Sequence, residues 1–164
     1  MSYLFLGLAI ANSAILVLTG VAGYLAHTGR LASELHVLAG LFASLFTTLT
    51  HCIVFVYFLG TGKSIKTACE ELGLEDRFIQ GTKRMKARAF PFALAGSLVI
   101  IGAAVTGGAA STGLYSVSTH HGCVIGALLF NLLCFFFEFR AIRANMDLIA
   151  EFARHVPDES VHEH

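Results

Sequence analysis

Several histidines stand near the ends of long apolar segments, where their side chains could bind a metal-containing cofactor. His27, His36 and His120 belong to three different segments and reach similar heights if the segments are antiparallel helices. His121 is adjacent to His120 but points about 100° away around its helix. Imidazoles hold haem iron from its two faces. The pattern predicts a haem site whose iron ligands are His36 and His120. A pairing of His27 with His120 or His121 is the second choice.

A second group of polar residues lies deeper within the same segments. Nine residues inward from one end of each segment are Asn12, His51, Ser97 and Asn131, all at a depth of roughly 13 Å. This spacing predicts a polar layer inside a bundle of helices. His51 is expected to hydrogen-bond Asn12 or Asn131, which is the favoured interpretation. The alternative is that His51 ligates a second, inner haem.

Glu138 is the acidic residue of this deeper group and lies nearer to the end of its segment. A carboxylate in lipid costs several kcal/mol unless it has a partner, so a basic or phenolic side chain is expected beside it. By depth, the candidate partners are Tyr57, Lys63 and Arg88. Ionisable residues at membrane depth indicate a functional site by default.

The segments that carry these residues are long enough to span a membrane. Four stretches without Asp, Glu, Lys or Arg run over residues 3–24, 35–59, 89–107 and 117–137. A spanning helix needs about 20 apolar residues. Apolar residues make up 55% of the chain and charged residues 13%, which is typical of integral membrane proteins. We predict an all-α fold, a bundle of four transmembrane helices with a cytoplasmic helical loop and an extended fourth helix.

The predicted organisation is one membrane domain over residues 1–155, followed by an acidic tail over 156–164. The predicted spans are about 3–27, 34–60, 89–109 and 117–140. Ser33 is expected to cap the second helix, which should end at Gly60–Gly62, and Pro91 should stand in the first turn of the third. The cytoplasmic loop occupies 61–88. The fourth helix should extend over 140–155 and pack an apolar stripe on that loop, with Ile142, Met146, Ile149 and Phe152.

Basic residues are concentrated on one side of the predicted bundle. The loop 61–88 holds seven Lys and Arg residues, and three more follow the fourth span. The two opposite connections hold only Arg30. By the positive-inside rule, both termini are expected in the cytoplasm of a multi-pass protein, with a bacterial inner membrane as the setting. The net charge of zero gives no reason to expect nucleic-acid binding.

In outline the chain resembles the small four-helix b-type cytochrome subunits that anchor redox enzymes in membranes. The resemblance covers the four spans. It rests on the number of helices, on His36 and His51 in the second helix, and on His120 and His121 in the fourth. It implies haem b as the cofactor and electron transfer as the function, between a partner on one face and quinone or another cofactor.

Two other functions are alternatives. A non-catalytic membrane subunit would use the loop 61–88 and the extension 140–155 to dock other subunits, because little of the chain remains for an extramembrane domain. A small membrane enzyme or a proton path would instead use His51, Asn131 and Glu138. The expected partners are membrane lipid and other subunits of a membrane complex, with quinone as a further partner for electron transfer.

Overall fold

Each predicted segment forms one long α-helix in the computed structural model, which describes residues 1–156. The helices are α1 (Ser2–His27), α2 (Ser33–Leu72), α3 (Arg77–Ser111) and α4 (Val117–Ala153). All four are long and apolar enough to cross a membrane. The all-helical fold class is therefore confirmed. The predicted acidic tail, apart from residue 156, lies outside the described residues.

The four helices run up and down and pack as a closed ring. Each helix packs against its neighbours in sequence, and α1 also packs against α4, so α2 and α4 face each other across the centre. We call the end of the bundle that carries Ser2, the α2–α3 turn and Ala153 the terminal end. The opposite end, with the turns at 28–32 and 112–116, is the distal end.

Each of the three turns contains a glycine in a left-handed backbone conformation. Gly29, Gly73 and Gly113 have φ angles of 71°, 63° and 77°. Glycine adopts this conformation without the steric cost that a Cβ atom would impose. The three glycines therefore allow the chain to leave one helix and reverse direction within a few residues.

At the terminal end, α2 and α3 continue past the predicted breaks. The sequence predicts that α2 ends at Gly60–Gly62 and that a new helix begins near Pro91, but α2 runs to Leu72 and Pro91 lies inside α3. A helical glycine costs about 1 kcal/mol and an interior proline about 3 kcal/mol. Packing between the extensions offsets these costs. Their buried cluster consists of Ile65, Cys69, Phe78 and Phe152.

α4 also continues beyond the length that a membrane requires. Its 37 residues correspond to a helix of about 55 Å. Ile142 is buried and Met146 packs against the same part of the core. Phe152 and Ile149 belong to the cluster between the extensions of α2 and α3. The apolar stripe of α4 therefore packs on the helical extensions that replace the predicted loop.

The outer surface of the bundle is apolar, and the polar residues lie inside. Leu18, Val56 and Val105 are 67%, 70% and 65% exposed, whereas the buried set includes asparagines, threonines, a histidine and a glutamate. A large exposed apolar surface on a bundle with a polar interior is the arrangement that lipid favours. The fold is consistent with a multi-pass membrane protein.

The distal start of α4 offers a local test of helix capping. Ser116 is the N-cap, and its hydroxyl oxygen accepts a hydrogen bond from the Thr119 backbone N–H at 3.1 Å. We expect Ser116→Ala to lower the free energy of unfolding in detergent micelles by about 1 kcal/mol. Ser33, the predicted cap of α2, is its first helical residue instead, and the N-cap is Ala32. Ser33→Ala is the control, and an equal loss from both variants would contradict the prediction.

Candidate functional site

A fully buried histidine and glutamate meet at the centre of the bundle. His51 extends from α2 and Glu138 from α4, and both side chains are 0% exposed. His51 Nδ1 lies 2.7 Å from Glu138 Oε1, and His51 Nε2 lies 2.8 Å from Asn131 Oδ1. We call His51 and Glu138 the central pair. Both ring nitrogens form hydrogen bonds. Of the two roles predicted for His51, a hydrogen bond to an asparagine and ligation of an inner haem, the structure shows the hydrogen bond, with Asn131 as the partner.

The directions of these hydrogen bonds show how the central pair holds its proton. Asn131 Nδ2 donates to the Ala127 carbonyl of its own helix at 2.8 Å. Its Oδ1 therefore accepts from the N–H at His51 Nε2. The other nitrogen, Nδ1, faces a carboxyl oxygen, and a hydrogen bond between these two atoms requires one proton. That proton belongs either to Glu138, beside a neutral ring, or to the ring, beside a carboxylate.

α3 and α4 confine the ring of His51 by close packing. A Cβ atom at Gly96 of α3 would lie only 2.4 Å from His51 Nε2 and 3.2 Å from Asn131 Oδ1. Phe135 of α4 stacks on the same ring, with centroids 5.1 Å apart and planes inclined by 24°. The imidazole therefore has one position available, in which its two nitrogens point at Asn131 and Glu138.

The partner of Glu138 differs from the predictions made by counting depth. The predicted candidates are Tyr57, Lys63 and Arg88. In the structure Glu138 instead forms a hydrogen bond with His51, which the sequence places farther from the terminal end. The imidazole of His51 lies between Asn131 and Glu138, which are seven residues apart on α4, so Cα depth alone does not determine the partner of Glu138.

Asn12 and Ser97, the other members of the predicted polar layer, are buried and form hydrogen bonds elsewhere. Asn12 Nδ2 donates to Thr50 Oγ1 at 3.1 Å, and Asn12 Oδ1 accepts from Thr47 at 2.8 Å, so this residue links α1 to α2. Ser97 donates to the Ala93 carbonyl of its own helix at 2.9 Å. The layer is thus split into separate networks, because helix rotation as well as depth decides which side chains meet.

A further polar cluster lies between the central pair and the terminal end. Asn145 is fully buried, and its Nδ2 donates to Tyr57 Oη at 3.1 Å and to Thr61 Oγ1 at 3.3 Å. Two buried acceptors in this region, Glu138 Oε2 and Asn145 Oδ1, have no hydrogen-bond partner within residues 1–156. They lie on the same face of α4, two turns apart.

Four histidines come together at the distal end, and we call them the distal histidines. The rings of His36 and His120 have centroids 6.2 Å apart, those of His27 and His121 5.8 Å, and those of His120 and His121 6.2 Å. His27 is exposed, and the other three are partly buried. The structure therefore brings the four candidate ligands of the first haem into one cluster, in the order His36, His120, His121 and His27.

Glycines on neighbouring helices leave room for two of these rings. A Cβ atom at Gly23 of α1 would lie 2.7 Å from His36 Cε1, and one at Gly107 of α3 would lie 2.9 Å from His120 Cε1. The predicted span ends near residue 109, and the helix continues to Ser111. Gly107 thus lies inside a helix, where its missing side chain allows His120 to approach.

Thr106 orients His120 so that one nitrogen is available as a ligand. The Thr106 hydroxyl donates to the Ala103 carbonyl at 2.8 Å and lies 3.2 Å from His120 Nδ1. A hydroxyl has one proton to donate, so Thr106 Oγ1 accepts from the N–H at Nδ1. His120 Nε2 then carries the lone pair, which is the form of imidazole that binds metals. His36 Nδ1 is buried without a partner within residues 1–156.

Two histidines at the distal end could serve as the axial ligands of a haem. Within the described part of the chain there is no group of three His, Cys, Asp or Glu side chains that could hold a metal ion. Haem iron needs only axial ligands from the protein. With metal–nitrogen bonds of about 2 Å, two imidazoles on opposite sides of one atom have centroids about 6 Å apart. The centroids of His36 and His120 are 6.2 Å apart, close to this value, and those of the adjacent His120 and His121 are equally far apart.

Two residues that position the imidazoles, Gly96 and Thr106, are not among the residues predicted from the sequence. A signal for Gly96 exists, because small residues recur along α3 at intervals of four, three, seven and four. Such a stripe favours close approach of helices in membranes. Its members are Ala89, Ala93, Gly96, Ala103 and Gly107. Thr106 has no comparable signal, since its role depends on where His120 lies in space.

No protein-family model matches this sequence. Comparison with curated proteins and with solved structures found no significant similarity either. The fold and the site define only a class of protein. Its members are four-helix bundles of membrane-spanning length with imidazoles at the centre and at the distal end. Any function must therefore be inferred from the geometry of these residues.

Proposed function

We propose that this chain is an integral membrane subunit that binds haem b between its distal histidines and transfers electrons within a redox or respiratory complex. The observation that carries the proposal is the pair His36 and His120. These side chains come from helices that face each other across the bundle, and their rings are 6.2 Å apart. His27 and His121 form a neighbouring pair at 5.8 Å, which is the second choice.

The apolar helices and the distribution of charge support a defined position in the membrane. Four helices have the length and composition of membrane spans. Ten of the eleven Lys and Arg residues belong to the terminal half of the bundle, in the α2 and α3 extensions and at the end of α4. By the positive-inside rule the terminal end, with both chain termini, faces the cytoplasm. The distal histidines then lie near the outer leaflet of a bacterial inner membrane.

A haem held by two imidazoles supplies reversible uptake of one electron. The chain supplies the orientation of its ligands. Thr106 accepts from the Nδ1–H of His120, so Nε2 carries the lone pair that would bind iron. Gly23 and Gly107 give the rings of His36 and His120 space inside the bundle. On the inner side, buried apolar residues of the core separate this region from the central pair.

The terminal extensions are the surface that we assign to partner subunits. The extensions of α2, α3 and α4 pack on one another around a small apolar cluster and present charged side chains outward. Arg77 bridges Glu75 and Glu151 there at 2.9 Å and 3.0 Å, which joins the start of α3 to the end of α4. Electrons would pass between a protein partner and quinone or another acceptor.

The visible spectrum of the purified protein tests the proposal. We expect a Soret band and an α band that sharpens on reduction, as bis-imidazole ligation requires. His36→Ala and His120→Ala should each remove most of the haem. His155→Ala is the control, because His155 is exposed at the terminal end. A colourless, iron-free protein from haem-sufficient cells would contradict the proposal and favour a non-catalytic membrane subunit.

A further inference from the structure

We propose that the central pair is a proton-binding site that exchanges protons with the terminal end of the bundle and is closed toward the distal end. The ligand of this site is the proton itself. A site of this kind, in the middle of a membrane and open to one side, takes up protons from that side when the charge inside the membrane changes. The central pair would bind protons whether or not the distal histidines hold haem.

The composition of the central pair suits it to proton exchange. An imidazole and a carboxyl group can together hold from zero to two protons, whereas an Arg–carboxylate pair keeps a fixed number. Without a proton the central pair has a net charge of −1, with one it is neutral, and with two it has +1. Both groups are 0% exposed, and net charge in such a site is costly. The pair therefore responds to any charge placed near it by binding or releasing a proton.

A set of polar atoms leads from the central pair to the terminal end. Glu138 Oε2 and Asn145 Oδ1 are buried acceptors without partners within residues 1–156. Buried polar atoms of this kind in proteins are normally bound by ordered water. Asn145 continues the route, since its Nδ2 donates to Tyr57 Oη and to Thr61 Oγ1. Thr61 is partly exposed and lies where α2 enters its charged extension, which is where the route would end.

An apolar region lies on the other side of the central pair. Between Asn131 and the distal histidines is a buried cluster formed by Leu16, Ala43, Ile100, Ala103 and Ala127. The hydroxyl of Ser44 in this part of the bundle donates to the Leu41 carbonyl of its own helix at 2.9 Å. Asn131 uses its amide on its own helix as well. This region offers little polar surface for water, so protons reach the pair from the terminal end.

Few other ionisable groups face the central pair. Cys134 lies one turn before Glu138 on α4, and Tyr57 of α2 lies toward the terminal end. α3 contributes Gly96 at the ring of His51. α1 contributes Phe5, which belongs to the apolar core cluster that also contains Phe135. Arg140, two residues beyond Glu138, is exposed at the bundle surface. A proton bound in this region is therefore held by the pair itself.

Infrared difference spectroscopy between two pH values tests for the bound proton. We expect a carbonyl band of a protonated carboxyl group that changes with pH and shifts in D₂O. Glu138→Gln should remove this band, and Glu70→Gln, at an exposed position of α2, should leave it unchanged. A band that persists in Glu138→Gln, or no pH-dependent band in the folded wild type, would overturn the proposal. Glu138→Asp keeps a carboxyl group and should move the band, which covers the case that Glu138→Gln does not fold.

The rate of hydrogen–deuterium exchange at the Glu138 carboxyl group, followed through the same infrared band in D₂O, tests from which end of the bundle protons reach the central pair. Asn145→Leu removes the polar link, and we expect exchange to become about fivefold slower, the effect of losing one hydrogen bond between neutral groups. Asn12→Leu is the matched control, since Asn12 is equally buried but bonds Thr47 and Thr50. Unchanged exchange in Asn145→Leu would contradict access from the terminal end. The haem-free variant His120→Ala should retain the band, so failure of one proposal is visible separately from failure of the other.

Discussion

Glu138→Ala is expected to lower the free energy of unfolding by about 3–5 kcal/mol, because it leaves one member of a buried ionisable pair without its partner. Glu138 is fully buried and bonds His51 at 2.7 Å. After truncation, His51 Nδ1 faces a cavity with no side chain to replace the carboxyl group. The measurement is equilibrium unfolding in mixed detergent micelles, followed by the loss of helical circular dichroism.

Two further variants separate the lost hydrogen bond from the lost charge. Glu138→Gln retains the shape of the side chain, and its amide can donate to His51 Nδ1 while Nε2 still donates to Asn131. We therefore expect Glu138→Gln to cost much less than Glu138→Ala. The double variant His51→Ala/Glu138→Ala should lose less than the sum of the two single variants, by about 1–3 kcal/mol. Strict additivity would show that the pair contributes nothing as a unit.

The sequence predicts the number, the type and the approximate position of the helices, because these follow from hydropathy alone. It also predicts that the polar face of each helix turns inward, and the buried set includes Asn12, His51, Asn131 and Glu138. Lipid makes an unpaired polar group so costly that such residues have few alternatives to the bundle interior. For the same reason, hydropathy and the spacing of polar residues together identify polar side chains that the structure buries.

What the sequence does not predict is which of the inward-facing side chains meet. A helix fixes the height of each Cα atom, but the rotation of one helix against another is set by packing along its whole length. Ser97 lies at the predicted depth of His51 and yet bonds its own helix. Glu138 lies nearer to the terminal end than that depth and yet bonds His51.

The helix breaks are mispredicted for a related reason. Local propensity places a stop at Gly60–Gly62 and a start near Pro91, and each of these residues does weaken a helix. Their cost of a few kcal/mol is small compared with the burial of several large side chains, at about 1.5–3 kcal/mol each. The cluster of Ile65, Phe78 and Phe152 forms only if the helices continue. Tertiary packing therefore decides where α2 ends and α3 begins, and local propensity does not predict those positions.

The distance between the distal histidines and the central pair determines how strongly a charge at one site would affect the other. His36 and His51 lie fifteen residues apart on α2, which corresponds to about 22 Å along the helix. At that distance, two unit charges interact by somewhat under 1 kcal/mol at an effective dielectric constant of about 20. An electron at the distal end would thus bias the central pair toward protonation by a few-fold. The two proposals have separate tests, and together they would imply only modest coupling of electron uptake to proton uptake.

Gly96→Ala is the second change with a large expected effect, because a single methyl group would enter the space of the His51 ring. The added Cβ atom would lie 2.4 Å from His51 Nε2. The ring cannot move aside without breaking its bond to Asn131 or to Glu138, and Phe135 stacks on it as well. We expect a loss of about 1–3 kcal/mol from overpacking, and a further loss of about 1–3 kcal/mol if the bond to Asn131 breaks.

Gly102→Ala on the same helix is the matched control for this change. A Cβ atom at Gly102 would meet nothing within 4 Å, and alanine is the better helix former by about 1 kcal/mol. The two variants make the same chemical change in α3. They should nevertheless shift stability in opposite directions, because only the Cβ atom at position 96 would meet the ring of His51. Unfolding in mixed micelles measures both, and the exchange of the Glu138 carboxyl band in D₂O should become faster in Gly96→Ala alone. Equal shifts in the two variants would mean that α3 does not confine the ring of His51.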